Sequence, residues 1–237
     1  MTSKKTIEAY PEGDARSVGY HVAQSGLGVT DLVLPGLGYA LQQVVGHYVG
    51  DPLTKRRDEW FKGVGSGLAE LQERFSGFDP ATLSENEEFL STVYEASHIA
   101  MKTHKEFKRE ALRNTVLNAA VGYTVDDSLR GRFISCIEEF SEAHIRVLRV
   151  LQSPESYPLA VQQAKGIMAG PQSTVIRAEI TEKEIPSDLF SIVLADLARH
   201  GFTNGALGGM VSSQSLLVKR TTTTGDAFLR FIDAPTP

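Results

Sequence analysis

Residues 126–151 read DDSLRGRFISCIEEFSEAHIRVLRVL, and their periodicity decides the fold class. Leu129, Phe133, Ile137, Phe140, His144, Val147, Leu148 and Leu151 recur at three- and four-residue spacing. That spacing lays them along one face of an α-helix. Asp126 can accept from the first helical N–H groups as an N-cap. Pro154 and Pro158 end the pattern, because proline lacks the N–H that would continue the ladder. The spacing predicts one helix over this stretch.

The same periodicity extends upstream. Residues 34–60 read LPGLGYALQQVVGHYVGDPLTKRRDEW, with Leu37, Leu41, Val44, Val45 and Tyr48 on one helical face and Gln42, Gln43 and His47 off it. Asp51-Pro52 predicts an N-cap followed by a proline at the first helical position. Trp60, Val64, Leu68, Leu71 and Phe75 form the next stripe, with Phe61 beside it and Gly77 as its stop. Ser84 and Glu87 have capping-box spacing. The helix after them sets Phe89, Leu90, Val93, Ala96, Ala100 and Met101 on one side. No proline or glycine interrupts the run to Val121, so two helices with a bend near Thr103-His104 are expected. Phe107, Leu112, Val116 and Ala120 then face inward on the second.

Downstream the signals change. A short helix is expected from Pro158 to Met168, ending at Gly170-Pro171. Residues 174–180, TVIRAEI, alternate and predict a strand. Ser187 is expected to cap a helix with Leu189, Phe190, Val193, Leu194 and Leu197 inward, Ile185 as a hydrophobic staple and Gly201 at its end. After the loop NGALGGM, SLLVKR (215–220) predicts a second strand. Thr224 starts a last helix with Phe228, Leu229, Phe231 and Ile232, and the tail APTP is expected to be disordered. The fold class is therefore mainly α, a multi-helix bundle with a small, winged-helix-like β element in the C-terminal third. The expected organisation is a polar lead-in over 1–30, a helical bundle over 31–153 and a C-terminal region over 154–237. Prolines and glycines concentrate near 153–173.

Composition narrows the chemistry. The 237 residues are 41% hydrophobic with a formal net charge of −5. Residues 1–80 carry 8 basic and 10 acidic side chains, residues 81–155 carry 9 and 12, and residues 156–237 carry 7 and 7. No third is basic, which disfavours a nucleic-acid binder, since such a protein needs a positive surface to release counterions from phosphates. The first residues, MTSKKTIEAYPEGDARS, place no apolar run behind Lys4 and Lys5 and do not read as a secretory signal. With one cysteine, Cys136, no intrachain disulfide can form, which fits a reducing, cytoplasmic setting. A membrane span needs about 20 mostly apolar residues, more than the interrupted run after Pro35 supplies.

No Walker A loop, nucleophile elbow, HExxH or paired CxxC is present. GVGSG at 63–67 lies inside a helical stripe, where close helix packing or a local kink explains it better than phosphate binding. Glu95 and His98 form a single ExxH step, whereas a di-iron bundle uses two with further glutamates. His144 sits on the apolar stripe and reads as a hydrogen-bonded core histidine. Cys136 reads as a buried small hydrophobe. Asp196 and His200 share a face near a helix end, and Glu138-Glu139 reads as a solvated face.

Two resemblances add to this reading. A helix ending in His-Gly-Phe (LFSIVLADLARHGFTN), an extended segment (SLLVKR) and a Thr-x-Gly-x-x-Phe-Leu helix (TTTTGDAFLRFI) resemble part of a winged helix. HIRVLRVL would supply its first helix. Residues 30–155 resemble the bacterial abortive infection alpha family. That resemblance is carried by LPGLGYALQQVVGHYVGDPLTKRRDEW, YEASHIAMKTHKEFKREALRNTVLNAA and FISCIEEFSEAHIRVLRVLQSP. It implies a bacterial cytoplasmic protein tied to phage defence and brings no catalytic residues.

The resulting expectation is a non-enzymatic helical interaction protein, a phage-defence or regulatory component, with no cofactor, no metal and no catalytic residue. Its partners would be another protein or a second copy. Leu37, Leu41, Val44, Tyr48, Lys55, Arg56 and Arg57 are the candidate interaction surface. Two alternatives stand: a winged-helix nucleic-acid-binding regulator using Arg199, Lys219 and Arg220, and a membrane-surface protein acting through residues 34–60.

Overall fold

The computed structural model describes residues 51–123, 125–204, 207 and 209–237. The chain is mainly α-helical, with a two-stranded β element in its C-terminal third. It divides into two compact units. Among the described residues, the first comprises 51–105, 116–123 and Pro237, and the second comprises 106–115 and 125–236. The stretch 153–173 falls inside the second unit.

In the first unit, helix α1 (Asp51–Arg74) presents Trp60, Phe61, Val64, Leu68 and Leu71 as its buried stripe. Gly77 reverses the chain after it at φ +83°, a left-handed conformation that glycine adopts without a Cβ clash. A 3-10 turn (Pro80–Glu85), capped by Asp79, leads to α2 (Glu87–Lys102). Asn86, not Ser84, caps α2: its side chain accepts from the Phe89 N–H, while the Ser84 hydroxyl donates to the Ala81 carbonyl within the 3-10 turn. Phe89, Val93, Ala96, Ala100 and Met101 are buried. The Trp60 indole N–H donates to Ser97 Oγ at 2.9 Å, which satisfies both buried polar groups. The expected bend is real. α2 ends at the extended Thr103, and α3 (Glu106–Ala120) begins three residues later. Val116 and Leu117, near the end of α3, belong to this unit. A Cβ on Gly67 would lie 2.7 Å from Leu117 Cδ1, so this last glycine of GVGSG serves close helix approach.

The second unit contains the start of α3 and helices α4 (Asp127–Glu139), α5 (Glu142–Gln152), α6 (Pro158–Lys165), α7 (Ser173–Glu179), α8 (Ser187–Arg199) and α9 (Thr223–Ile232). The helix expected over 126–151 is two helices. Phe140 is extended (φ −71°, ψ 145°) and Ser141 restarts the chain as the N-cap of α5. The apolar stripe keeps its phase across the break, which is why periodicity did not reveal it. Asp126 does cap α4, accepting from the Ser128 N–H.

At the centre lie Phe133, Phe140, Phe202, Phe228 and Phe231, all buried. Phe133 meets Phe202, Phe228 and Phe231 edge-on at 5.4–5.9 Å, and Phe202 stacks on Phe228 at 4.7 Å. The last helix is fastened from α3: Asn114 Nδ2 donates to the Ile232 carbonyl and Thr115 Oγ1 to that of Phe231. The tail is not loose where Pro235 is buried.

The β element is not where alternation placed it. TVIRAEI is helix α7, because Gln172, Val175, Ile176 and Ile180 are the buried positions and their spacing is helical. SLLVKR forms successive tight turns, with Leu216 N–H to Ser213 O and Val218 N–H to Ser215 O. The strands are β1 (Ala169–Pro171) and β2 (Met210–Ser212), antiparallel, pairing Ala169 with Ser212 and Pro171 with Met210. This ribbon adjoins a small apolar cluster of Ala160, Ala164, Val175 and Leu216, with Tyr157, Ile167, Val211 and Leu217 against it. Buried Gln172 fixes the turns: its Nε2 donates to the carbonyls of Leu216 and Val218, and its Oε1 accepts from Arg220. On α8, Phe190, Val193 and Leu197 face inward, but Leu189 is 40% exposed. Ser187 is the first helical residue, not the cap, and is held by the Glu182 carboxylate.

Candidate functional site

A group of ionisable side chains in the second unit gathers where α4 ends, α5 begins and α8 ends. α4 contributes Cys136 and, one turn on, Glu139, which the spacing sets on one helix face. α5 contributes His144, and the last turn of α8 contributes Asp196, Arg199 and then His200. Phe140 separates the two imidazoles: it stacks on His144 at 4.6 Å and meets His200 edge-on at 5.1 Å.

The hydrogen bonds define the state of each group. The Ser141 backbone N–H donates to His144 Nδ1 at 3.1 Å, so that nitrogen carries a lone pair. The neutral ring then bears its proton on Nε2, which faces Asp196 Oδ2 at 3.3 Å. Burial holds the His144 pKa below its usual value, opposed by the hydrogen bond to Asp196. Cys136 Sγ lies 3.4 Å from His200 Nδ1, and His200 Nε2 lies 3.5 Å from Glu139 Oε2. That second approach is an ion-pair distance without hydrogen-bond alignment, since Nε2 is buried with no hydrogen-bond partner. Arg199 bridges the two acids, 3.2 Å from Glu139 Oε1 and 2.9 Å from Asp196 Oδ1. Arg132 donates to the His200 carbonyl at 2.6 Å.

The order Cys136–His200–Glu139 has the connectivity of a thiol relay, but its electrostatics oppose nucleophilic use. Cys136 is 1% exposed, and burial pushes its thiol up to about 11, with Arg132 only partly offsetting the effect. A thiolate nucleophile needs the opposite shift and access for substrate. Among the described residues no group of three or more His, Cys, Asp or Glu is arranged to hold a metal ion. The cluster joins three helix ends through mutual contacts of these groups, with His200 Nε2 left without a hydrogen bond.

The sequence-derived surface residues distribute differently. Leu37, Leu41, Val44 and Tyr48 lie outside the described residues. Lys55 is exposed and pairs with Glu59 at 3.8 Å. Arg56 donates to the Met101 carbonyl at 2.7 Å, closing the C-terminus of α2. Arg57 is 2% exposed and bonded to Asp58, so it presents almost no surface. The candidate nucleic-acid contacts are likewise engaged: Arg199 with Glu139 and Asp196, Lys219 with Asp226, and Arg220 with Gln172. His98 is exposed, and the ExxH step assembles no metal group among the described residues. Glu139 and Ser141 were missed as partners. Glu139 stands one turn from Cys136, and Ser141 stands three residues before His144 at capping-box spacing.

Among the described residues, no helix is long and apolar enough to cross a membrane. Comparison with protein-family models, curated proteins and solved structures returned no match.

Proposed function

We propose that the chain is a non-enzymatic helical interaction protein. One contrast carries this reading. The reactive groups of the second unit are engaged with one another, while Leu189, Ile192, Met168 and Met210 stand 40%, 54%, 92% and 72% exposed. An active site inverts that pattern, keeping its reactive groups open to substrate and its apolar groups closed. The resemblance of residues 30–155 to the abortive infection alpha family supports a bacterial phage-defence or regulatory role.

Photo-crosslinking side chains at Ile192 and Met210 test the interaction reading in bacterial cells. Discrete protein adducts at one or both positions are expected. A hydrolytic or transfer activity of the purified chain that disappears in Cys136→Ser or His200→Gln overturns it. Plating efficiency of a phage panel on cells expressing the chain tests the defence role: unchanged plating for every phage removes it.

A further inference from the structure

The corner between α4 and α5 is closed by a titratable side chain. Phe140 is extended, Ser141 is the N-cap of α5, and His144 stands at the third helical position. A capping box ordinarily places a glutamate or glutamine there to take the cap N–H. Here the imidazole takes it: Nδ1 accepts from the Ser141 backbone N–H at 3.1 Å and lies 2.9 Å from Ser141 Oγ. Nε2, across the ring, lies 3.3 Å from Asp196 Oδ2 on α8. One side chain therefore closes the corner through one nitrogen and ties α5 to α8 through the other.

A proton added at Nδ1 acts on those two ties in opposite directions. The Ser141 hydroxyl can turn and accept from the new N–H, but the backbone N–H can only donate, so its bond is lost. The Nε2–H contact with Asp196 is kept and becomes charge-assisted, which strengthens it. His200, on the other side of Phe140, repeats the second effect. Its Nε2 is buried without a hydrogen bond, 3.5 Å from Glu139 Oε2. In a charged ring both nitrogens carry hydrogen, so Nε2 presents a donor to that carboxylate and ties the end of α8 to α4.

We propose that this junction is an acid-operated joint: protonation of His144 frees the Ser141 N–H and loosens the α4–α5 corner, while the tie from α5 to α8 through Asp196 tightens. The charges that act on the ring are Asp196 and His200 from α8 and Glu139 from α4, with Arg199 bridging the two acids. α7 and α9 also pack on α5. Asp226 of α9 reaches α5 at Gln152, eight residues beyond His144, and on α7 Arg177 and Glu179 are bonded to Ile185 and Ala160. Burial is the largest influence on His144 and holds its folded pKa below the unfolded 6.5, so the joint is closed at neutral pH and opens below about pH 6.5. The joint stands independently of the interaction reading above.

Nuclear magnetic resonance of the full chain, titrated from about pH 8 to about pH 5, tests the proposal through the Ser141 amide and the His144 ring protons. The Ser141 amide proton is expected to shift upfield as its bond is lost, with the midpoint at which the His144 ring titrates. In His144→Gln, whose side-chain oxygen accepts the cap N–H at every pH, that shift should vanish. Asp196→Asn removes the charge that favours the protonated ring, so the midpoint should move to lower pH. Far-ultraviolet circular dichroism establishes that both variants are folded. A Ser141 amide that stays put while the His144 ring titrates overturns the joint, and so does a ring that takes no proton before the chain unfolds. The same amide shift in His144→Gln, or an unmoved or raised midpoint in Asp196→Asn, overturns it as well.

Discussion

The end of α4 and the β1–β2 ribbon lie in one unit and handle exposed chemistry in opposite ways. The first gathers a thiol, two imidazoles, two carboxylates and two guanidinium groups and turns nearly all of them toward one another. The second has no acid in its strands or adjoining turns and holds methionines in solvent. A group's chemical type therefore says little about its use until its partners are known. His144, His200 and Cys136, conspicuous in the sequence, meet one another's neighbours inside the fold, while Met168 and Met210 stand in solvent.

The largest expected effect tests whether the closed region is closed by its aromatic floor. Phe133 is fully buried and meets three other phenylalanines. Phe133→Ala should destabilise the chain by about 3–5 kcal/mol in urea denaturation, through lost burial and the cavity left behind. The same variant should let a maleimide reach Cys136 far faster than in the parent, where the thiol is 1% exposed. Unchanged stability and labelling would mean that the floor yields without cost.

Next comes the point where the last helix meets the chain after α8. A Cβ on Gly225 would lie 2.3 Å from the Phe202 carbonyl oxygen, a backbone atom that cannot rotate away. Gly225→Ala should cost about 3 kcal/mol in the same measurement. At Gly67 the contact is with the flexible end of Leu117, so Gly67→Ala should cost less. Equal effects would break the distinction between rigid and yielding neighbours.

How legible these regions were in sequence follows from the range of their interactions. Stripes such as Trp60/Val64/Leu68/Leu71 and Phe228/Leu229/Ile232 were readable because burial on a helix repeats locally. The break at Phe140-Ser141 was not, since Phe133, Ile137, Phe140, His144 and Val147 keep a helical phase through it. Of the closed cluster, only Asp196 and His200 were joined by local spacing. His144 meets Asp196 across 52 residues and Cys136 meets His200 across 64, separations that only the tertiary fold closes. The ribbon was hidden for another reason. Its first strand, Ala-Gly-Pro, has residues that strands disfavour, whereas the β-branched run TVIRAEI is claimed by a helix through its buried positions. Local propensity there yields to tertiary packing.

A smaller effect sharpens the state of the closed cluster. His144 Nδ1 accepts the Ser141 N–H, so protonating that nitrogen sets donor against donor at the start of α5. Burial lowers the folded pKa below the unfolded value of 6.5. The unfolded chain therefore binds the proton first. The contribution of neutral His144 is fully present above about pH 6.5 and is lost as pH falls through the folded pKa. Asp196 and Glu139 favour the charged ring and His200 opposes it, but burial is the largest influence. His144→Gln should cost about 1 kcal/mol at pH 7 and flatten this part of the fall in melting temperature between pH 7 and pH 5. An identical pH profile in parent and variant would show that His144 is not the group that titrates.

The smallest expected effect is the most discriminating for the open region. Met168 and Met210 are exposed, so exchanging both for aspartate removes little buried contact and should change stability by no more than about 0.5 kcal/mol. The ribbon should tolerate the new charges, because the acid-free stretches on both sides offer no carboxylate to repel them. Urea denaturation of the full chain measures this directly. A loss of several kcal/mol would mean that the methionines support the small cluster of Ala160, Ala164, Val175 and Leu216 from outside, making the ribbon a structural cover. A near-zero change would show that the two exposed methionines contribute nothing to holding the ribbon on that cluster.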